Sequence, residues 1–281
     1  MNGSEVVVAC CQVALNVGDR PGNLLRLKRA ILAAADAGAN IVVLPELANT
    51  GYMFRDSVEL ADNVEAVDGP TVTSWVEFAR ERSLVIVGGF AERGSDGKVY
   101  NSAVIVDGTG ILASYRKAHR WGMEQELYEA GNEVPPVVDT AFGRIGLMVC
   151  YDLEFPEWVR SVALAGAELL CSPVNWPFYP RPEGERPSEI VKVQADAGTN
   201  RMFIAAADRV GTERGQEWLG GSVIVDADGF PLTPITPGAE ALLLATLDLS
   251  EARNKVIGDR NDVQRDRRPE LYARVEGLTG E

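Results

Sequence analysis

Two kinds of apolar pattern alternate along the chain, and they predict alternating strands and helices. Short, nearly continuous apolar runs are typical of strands that are covered on both faces. They occur at residues 6–13, 41–44, 84–90, 144–150, 169–173 and 202–207. Apolar residues that recur at helical spacing indicate amphipathic helices instead. Such stretches cover residues 21–38, 71–82, 155–165 and 188–200. We therefore expect an α/β fold.

Turn sequences between further apolar runs predict two hairpins. Asp107-Gly108-Thr109-Gly110 separates residues 100–106 from residues 111–116, and Asp226-Ala227-Asp228-Gly229 follows residues 221–225. Aspartate and glycine are favoured in such tight turns. Strands that are joined partly by helices and partly by hairpins indicate a mixed sheet system.

The predicted strands and helices alternate along the chain without an interruption, and this indicates the domain organisation. The sequence contains no linker, low-complexity tract or short repeat, so we expect one domain over residues 1–281. Its C-terminal tail, at about residues 253–281, is dense in charge and is interrupted by Pro269. This composition fits either a solvated surface segment or an arm that packs on a partner subunit.

The charge balance argues against nucleic acid as a partner. The chain has 27 basic and 41 acidic residues, a formal net charge of -14, and no basic stripe with interleaved aromatic residues. Such a protein repels phosphate backbones. No apolar run approaches the ~18 residues of a membrane span, and residues 1–5 lack the layout of a signal peptide. We expect a soluble, cytoplasmic protein without a membrane partner.

The few potential metal ligands point away from metal chemistry. The chain has four cysteines and one histidine, His119, and none of the cysteines forms a Cys-x-x-Cys pair. Zinc sites are built mainly from such pairs and from histidines. We therefore expect a site without a metal or another cofactor.

Among the cysteines, Cys150 is the candidate nucleophile. It ends the apolar run of residues 144–150 and precedes a predicted helix. A side chain at such a corner is exposed at the edge of a sheet, near backbone N–H groups that can bind an oxyanion, and the helix N-terminus is expected to lower the thiol pKa. The alternative is a structural cysteine, as we expect for Cys10, Cys11 and Cys171 inside apolar strands.

Two charged residues also follow predicted strands. Glu46 follows residues 41–44, and desolvation there is expected to raise its pKa towards the range that suits a general base. Lys117 ends the strand of residues 111–116, where an ammonium group can neutralise an oxyanion. A single residue in either position is more often a surface residue, which would be a loop residue or helix cap for Glu46 and an exposed lysine at the end of a hairpin for Lys117.

Three segments surround these candidates. They are Val43-Leu44-Pro45-Glu46-Leu47 with Thr50-Gly51-Tyr52, Tyr115-Arg116-Lys117-Ala118-His119 with Glu124 and Gly131, and Gly146-Leu147-Met148-Val149-Cys150-Tyr151-Asp152 with Phe155-Pro156-Glu157. In this order they resemble the nitrilase superfamily, also called the carbon–nitrogen hydrolases, which use a Glu-Lys-Cys constellation. Further matches are Pro173-Val174-Asn175-Trp176-Pro177, Gly220-Gly221-Ser222 and Asp266-Arg267-Arg268-Pro269-Glu270-Leu271-Tyr272. The resemblance covers Val6 to Tyr272.

The resemblance implies a fold and a mechanism. The fold is a four-layer α-β-β-α sandwich that contains two β-sheets. In the implied mechanism Cys150 attacks a carbonyl and Glu46 takes the thiol proton, while Lys117 and the backbone N–H of Tyr151 stabilise the oxyanion. Ammonia leaves, and water activated by Glu46 then hydrolyses the thioester.

The resemblance also assigns roles around this triad. Glu124 corresponds to the family's second glutamate, which orients the lysine, the substrate or both, although Glu126 is an alternative two residues later. His119 is expected to be a structural hydrogen-bonding residue. The expected substrate-binding residues are Tyr52, Trp121, Tyr151, Asn175 and Trp176.

Three positions depart from the family pattern. Arg120 replaces the usual leucine, Ala130 replaces a proline, and Asp208 stands where asparagine is common. None of them belongs to the implied triad, but Arg120, like its neighbour Trp121, is near enough in sequence to alter the substrate pocket.

The residues after Cys150 narrow the expected reaction. True nitrilases of the superfamily follow the cysteine with Trp-Glu, whereas Tyr151-Asp152 resembles the amidase and carbamoylase branches. We expect hydrolysis of a small, aliphatic amide to a carboxylate and ammonia. The alternatives are an N-carbamoyl amidohydrolase, a nitrilase, a non-catalytic binding protein on the same fold, or a peroxide-reactive thiol at Cys150. By resemblance we also expect a homodimer or a higher homo-oligomer.

Overall fold

The structure is a computed structural model that describes residues 5–276. The expectations for residues 1–4 and 277–281, at the N-terminus and the end of the tail, lie outside the described residues. The helices are α1 (Arg20–Asp36), α2 (Ser57–Ala61), α3 (Pro70–Arg82), α4 (Glu124–Leu127), α5 (Pro156–Leu164), α6 (Ser188–Asn200) and α7 (Pro269–Glu276). Short 3₁₀ helices cover Cys150–Glu154 and Leu249–Arg253. None of the described helices is long and apolar enough to cross a membrane.

The strands form two large sheets. In chain order they are β1 (Val6–Ala14), β2 (Ile41–Val43), β3 (Val85–Arg93), β4 (Val99–Asp107), β5 (Gly110–Arg116), β6 (Val137–Thr140), β7 (Gly143–Leu147), β8 (Leu169–Pro173), β9 (Phe203–Ala207), β10 (Arg209–Val210), β11 (Thr212–Glu213), β12 (Gln216–Glu217), β13 (Val223–Val225), β14 (Ala241–Leu247), β15 (Val256–Ile257) and β16 (Asn261–Asp262). The first sheet has the order β10-β1-β2-β3-β4-β5, with β14 also paired to β1. The second has the order β13-β9-β8-β7-β6.

Each sheet combines parallel and antiparallel strand pairs. In the first sheet β1, β2 and β3 are parallel, and the hairpins of β3, β4 and β5 are antiparallel. In the second sheet β7, β8 and β9 are parallel, and β6 and β13 pair antiparallel at the two edges. The parallel strands are joined by helices, as expected for crossover connections, so the predicted mixed sheet system is present.

The alternation of side chains along β1 shows how four layers arise. Val8 and Cys10 point into a core that is shared with the second sheet, whereas Ala9 and Cys11 point into a core that is shared with α1 and α3. Successive side chains of a strand lie on opposite faces. The outer face of the second sheet is covered in the same way by α5 and α6. The layers are therefore α, β, β and α.

Several features of the fold differ from the sequence prediction, and two of them concern the large sheets. The strand expected over residues 144–150 ends at Leu147, because Cys150 has a positive φ of 47° that a strand does not accommodate. Strand β14 was not predicted at all. It pairs with β1 along Val6–Gln12, and no turn signal next to residues 241–247 points to a partner so distant in sequence.

Candidate active site

The predicted reactive residues follow strand ends at one edge of the sandwich. Glu46 lies three residues after β2, Lys117 directly follows β5, and Cys150 lies three residues after β7. The Lys117 Nζ donates a hydrogen bond to Glu46 Oε1 at 2.7 Å, and the Glu46 carboxylate acts electrostatically on the Cys150 thiol. The structure therefore brings these three predicted residues together.

The backbone around Glu46 is held from several sides. Its N–H donates to the Val174 carbonyl at 3.2 Å, and Arg209 Nη2 donates to the Glu46 carbonyl at 2.9 Å. The next residue, Leu47, has a φ of 45° in the left-handed region, which costs a non-glycine residue roughly 1–2 kcal/mol. On β3, a Cβ at Gly89 would meet the Glu46 Cα at 2.7 Å. Only glycine therefore allows this close approach.

Lys117 is the centre of a buried hydrogen-bonded cluster. Its Nζ lies 2.8 Å from Glu124 as well as 2.7 Å from Glu46. Asn101 Nδ2 donates to the same two carboxylates, at 2.7 Å to Glu46 and 3.0 Å to Glu124. We refer to Glu46, Asn101, Lys117 and Glu124 as the Lys117 cluster. Because each carboxylate receives both donors, the cluster fixes the positions of both glutamates.

The sequence analysis missed Asn101 in this role. Asn101 belongs to β4, and its carbonyl also accepts the Lys117 backbone N–H at 2.8 Å. It was predicted only as part of a hairpin strand. An asparagine inside an otherwise apolar strand is a signal of a polar partner, because a buried amide needs hydrogen bonds.

Glu124, rather than Glu126, belongs to the cluster. Besides Lys117 and Asn101, it accepts hydrogen bonds from the Tyr52 hydroxyl at 2.5 Å and from the Trp121 backbone N–H at 2.9 Å. Glu126 is exposed on the same short helix, α4. The geometry thus favours the assignment of the second glutamate to Glu124.

Cys150 sits on a strained turn between a strand and a 3₁₀ helix. Its φ of 47° is rare for a residue with a side chain, and such strain is often found at functional sites. The Asp152 carboxylate holds the turn, since it accepts hydrogen bonds from the Val149 N–H at 3.2 Å and the Tyr115 hydroxyl at 2.9 Å. His119 Nδ1 lies 2.7 Å from the same carboxylate. Asp152 therefore links the Cys150 turn to the segment that carries Lys117.

The environment of Glu46 and Lys117 sets their protonation. Burial raises the pKa of Glu46 to about 7, although the Lys117 ammonium partly opposes this effect. Burial alone would lower the pKa of Lys117, but the Glu124 and Glu46 carboxylates outweigh it, so the pKa of Lys117 lies well above its usual value. At neutral pH the site therefore holds a cation next to a carboxylate that can take up a proton.

The expected lowering of the Cys150 pKa was wrong. Burial and the nearby Glu46 carboxylate raise the pKa of the thiol well above its usual value, and the Lys117 ammonium only partly offsets them. A helix terminus of five 3₁₀ residues does not compensate for this desolvation. In the free protein Cys150 is a thiol that needs a base, and Glu46 Oε2 has no hydrogen-bond partner among the described residues.

A cavity of about 310 Å³ opens beside Cys150. All five of the predicted substrate-binding residues line it, namely Tyr52, Trp121, Tyr151, Asn175 and Trp176. The sequence analysis missed further lining residues, which are Glu154, Pro177, Tyr179, Ser188, Glu189 and Lys192. Most of these lie in the loop after Trp176 or in the first turns of α6, where no local pattern distinguishes a cavity wall from a solvated surface.

The remaining candidates have structural positions. His119 stacks on Phe155 with ring centroids 3.7 Å apart, in addition to its contact with Asp152. Cys10, Cys11 and Cys171 are buried in β1 and β8. These positions agree with the expectation that none of these four residues takes part in the reaction.

The departures from the family pattern also have partners in the structure. Asp208 accepts hydrogen bonds from the Trp176 N–H at 3.0 Å and the Gly221 N–H at 2.8 Å, so it fixes a wall of the cavity. Arg120 Nη1 donates to the Tyr128 carbonyl at 2.8 Å, and Arg120 does not line the cavity beside Cys150. Among residues 5–276, no group of three or more His, Cys, Asp or Glu residues could hold a metal ion.

The arrangement is suited to covalent catalysis at an acyl carbon. Cys150 lines a cavity, and the Glu46 carboxylate, which acts electrostatically on the thiol, has a pKa of about 7 that suits a general base. The Lys117 ammonium can stabilise negative charge on an attacked oxygen. Tyr151 is the second residue of its 3₁₀ helix, and the first amides of a helix have no partner within it.

Comparisons with known proteins agree with this chemistry. Residues 7–255 match the family profile described as carbon–nitrogen hydrolase. A nitrilase from Pyrococcus abyssi is 36% identical over 272 residues, which are 96% of this chain and 100% of that protein. An N-carbamoylputrescine amidase from Solanum lycopersicum is 32% identical over 293 residues, which cover 98% of this chain and 96% of that protein.

Solved structures show the same architecture. An amidase from Nesterenkonia sp. superimposes with a TM-score of 0.82 at 29% identity, covering 98% of each chain. A mutant of the amidase from Nesterenkonia sp. AN1 matches with a TM-score of 0.79 at 26% identity over 98% of each chain. It carries the acetamide moiety of fluoroacetamide added covalently at its active site cysteine. The predicted α-β-β-α sandwich is confirmed.

Proposed function

The chain belongs to the carbon–nitrogen hydrolase family, and on this basis we propose that it hydrolyses a small, aliphatic amide to a carboxylate and ammonia through a thioester on Cys150. One observation carries the proposal. Cys150 lines a cavity, and the charge of the buried Glu46 carboxylate acts on its thiol; the pKa of Glu46, about 7, suits a base that works near neutral pH.

The first half of the proposed reaction forms the thioester. Glu46 takes the proton of the Cys150 thiol while the sulfur attacks the amide carbonyl carbon. The Lys117 ammonium and the Tyr151 backbone N–H stabilise the oxyanion of the tetrahedral intermediate. The carbon–nitrogen bond then breaks, and Glu46 returns the proton to the leaving nitrogen, which departs as ammonia.

The second half hydrolyses the thioester. A water molecule occupies the place that ammonia has left and gives a proton to Glu46 as it attacks the acyl carbon. The carbon–sulfur bond breaks, the carboxylic acid is released, and the proton returns from Glu46 to the Cys150 sulfur. Glu124 positions Lys117 throughout, which its hydrogen bonds to Lys117, Tyr52 and the Trp121 N–H support.

A second candidate function is hydrolysis of an N-carbamoyl group. It is favoured by the 32% identity to the N-carbamoylputrescine amidase from Solanum lycopersicum, a protein of nearly the same length. The same residues would act on a ureido carbonyl, and the products would be an amine, carbon dioxide and ammonia. A nitrilase reaction is a third possibility by the likeness to the protein from Pyrococcus abyssi, but Tyr151-Asp152 does not fit the Trp-Glu of true nitrilases.

Product analysis separates these functions. Butyramide, N-butylurea and butyronitrile would each be incubated with the protein, and ammonia, carbon dioxide and butyrate would be quantified. We expect ammonia and butyrate from butyramide, with an intact protein mass raised by one butyryl group during turnover. Carbon dioxide from N-butylurea alone would favour the carbamoyl reaction, and no product from any of the three would reject the proposed chemistry.

The proposed assembly is a homodimer or a higher homo-oligomer. Exposed apolar side chains on α5, α6 and α7 support it, namely Leu164, Val191, Leu271 and Tyr272. Apolar surface of this kind is typical of contacts between subunits. Light scattering at micromolar concentration is expected to give at least twice the chain mass, and a fully active monomer would contradict this. The cytoplasmic location stays a prediction from the sequence.

A further inference from the structure

The outer part of the cavity contains charged and aromatic side chains that the reaction at the carbonyl does not use. Tyr179 follows β8 in the loop after Trp176, Glu154 ends the 3₁₀ helix that Cys150 begins, and Glu189 and Lys192 lie in the first turns of α6. All four line the same cavity as Cys150. We refer to Glu154, Tyr179, Glu189 and Lys192 as the rim.

The charges of the rim do not cancel. Lys192 Nζ donates to both carboxylate oxygens of Glu154, at 2.8 and 2.7 Å, so these two residues neutralise each other. Glu189 has no ion pair or hydrogen bond to another side chain among the described residues, and it is half-buried. The rim therefore carries one uncompensated negative charge next to an aromatic ring.

The arginines of the neighbouring loop contact other side chains rather than Glu189. Tyr179 and Glu189 also line an adjoining cavity of about 260 Å³, to which Arg181 and Arg186 contribute. Arg181 lies over the Phe178 ring, 5.9 Å from its centroid, and Arg186 donates to Gln194 at 2.7 Å. Neither arginine lines the cavity beside Cys150. Glu189 is thus available to a cation that enters this cavity.

The walls between Cys150 and the rim favour the same kind of ligand. Tyr52, Trp121, Tyr151, Trp176 and Tyr179 supply aromatic faces. Aromatic faces attract ammonium groups through their quadrupoles, most strongly where a ligand is desolvated. A simple amide of four or five heavy atoms fills only a few water volumes of about 30 Å³ each, so the cavity of about 310 Å³ has room for a longer chain.

A second, independent observation shows that the cavity is built for a polar ligand. Asn175 is 2% exposed, and neither its Nδ2 nor its Oδ1 has a hydrogen-bond partner in the described part of the chain. The Asn175 backbone carbonyl accepts a hydrogen bond from the Cys150 thiol at 3.7 Å, so this residue lies next to the nucleophile, and it lines the same cavity. Buried amide groups are rarely left without partners. An amide or ureido group seated at Cys150 can supply both a donor and an acceptor.

We infer that the site prefers a substrate whose chain ends in an ammonium group. The amide or ureido carbonyl lies at Cys150, next to Asn175, and the alkyl chain passes the aromatic walls. The ammonium group then lies at the rim, between the Tyr179 ring and the Glu189 carboxylate. This inference rests on the proposed function, because it assigns the substrate class of the same site.

Three amides of matched length test the inference. They are 5-aminopentanamide, its uncharged isostere hexanamide, and the carboxylate adipamate. We expect kcat/KM to be about tenfold higher for 5-aminopentanamide than for hexanamide, which is the scale of one exposed ion pair with one cation–π contact, and lower still for adipamate. The preference should weaken at high salt, because the rim is solvent-accessible.

Two matched variants test whether Glu189 causes the preference for the ammonium substrate. Glu189→Gln should bring the ratio between 5-aminopentanamide and hexanamide close to one. Glu185→Gln removes the same charge from the neighbouring loop but does not line the cavity beside Cys150, so its ratio should equal that of the unmodified protein. Equal effects of the two variants would show that only the overall charge of the surface matters.

The outcomes also separate this inference from the proposed function. Equal rates with 5-aminopentanamide and hexanamide would overturn the inference and leave the amidase function intact. A preference for adipamate would overturn the inference as well, and so would a preference for the zwitterion homoglutamine over 5-aminopentanamide. In either case Lys192 would bind the carboxylate of the substrate and determine the selectivity. No hydrolysis of any amide, with no acyl group on Cys150, would reject the proposed function itself.

Discussion

The Lys117 cluster and the rim carry similar charges in opposite environments. Glu46 and Lys117 are 0% and 1% exposed at the side chain, whereas the Glu154 and Lys192 side chains are 32% and 44% exposed. Two charges 4 Å apart interact with about 1 kcal/mol in water and with several times more where the effective dielectric constant is low. The cluster therefore sets pKa values and holds its geometry, while the rim contributes modest selectivity.

The backbone differs in the same way. Glu46 and Lys117 follow buried strands, and left-handed φ angles occur nearby at Leu47 and Cys150, where the surrounding structure maintains them. The rim is carried by a loop, by the end of a 3₁₀ helix and by the start of α6. We therefore expect changes in the cluster to affect the chemical step and changes in the rim to affect the choice of substrate.

The largest effect is expected at Cys150. Cys150→Ala should abolish amide hydrolysis, because no other thiol among the described residues lines the cavity. Cys171→Ala is the matched control, since Cys171 is buried in β8 and has no predicted role. Product release and intact-mass detection of the acyl group would be measured with both. Amide hydrolysis by the Cys150→Ala variant would disprove the thioester mechanism.

Glu46→Gln should have the next largest effect. Glutamine keeps the size and part of the hydrogen bonding to Lys117 and Asn101, but it cannot take the thiol proton or activate water. Loss of a general base typically costs ~10²–10⁴-fold in rate. Steady-state kinetics should show this loss in kcat and in kcat/KM. A loss of less than about tenfold would mean that another group is the base.

Glu124→Gln and Glu126→Gln test where the cluster ends. Hydrogen bonds to charged groups contribute roughly 1.5–3 kcal/mol, so Glu124→Gln should reduce kcat/KM by about tenfold to a hundredfold through a less well oriented Lys117. Glu126→Gln should be nearly silent, because Glu126 is exposed. Acylation measured by mass spectrometry separates a slow first step from slow turnover. An unchanged kcat/KM for Glu124→Gln together with a large loss for Glu126→Gln would contradict the assignment of Glu124 to the cluster.

Within one pH unit, the pH dependence is the smallest of these effects. Because burial raises the pKa of Glu46 to about 7, the carboxylate gains a proton as the pH falls through this value. The protonated form cannot act as a base, so kcat/KM should decrease about tenfold per pH unit below this pKa and level off above it. An ordinary glutamate is still ionised at pH 5. A rate that stays constant down to pH 5 would therefore show that the pKa of Glu46 is not raised or that Glu46 is not the base.

The amino-acid sequence alone predicted the main strands and helices and the approximate places of the reactive residues. Apolar runs and helical spacing are local properties, and they predicted β1, β3 and α6 close to their observed bounds. The family, the hydrolase activity and the sandwich are confirmed by the comparisons. The roles of Glu46, Lys117 and Cys150 stay predictions, although the structure brings the three residues together as expected.

Properties that depend on contacts between distant residues could be seen only in the folded structure. Burial and the charge of Glu46 raise the pKa of the Cys150 thiol. Neither effect could be predicted from the sequence of the strand-to-helix corner. Asn101 enters the cluster, and Glu124 rather than Glu126 joins it, because β4 and α4 meet beside Lys117. Such contacts join segments far apart in sequence, so local patterns carry the positions of reactive residues but not the electrostatic environment that makes them reactive.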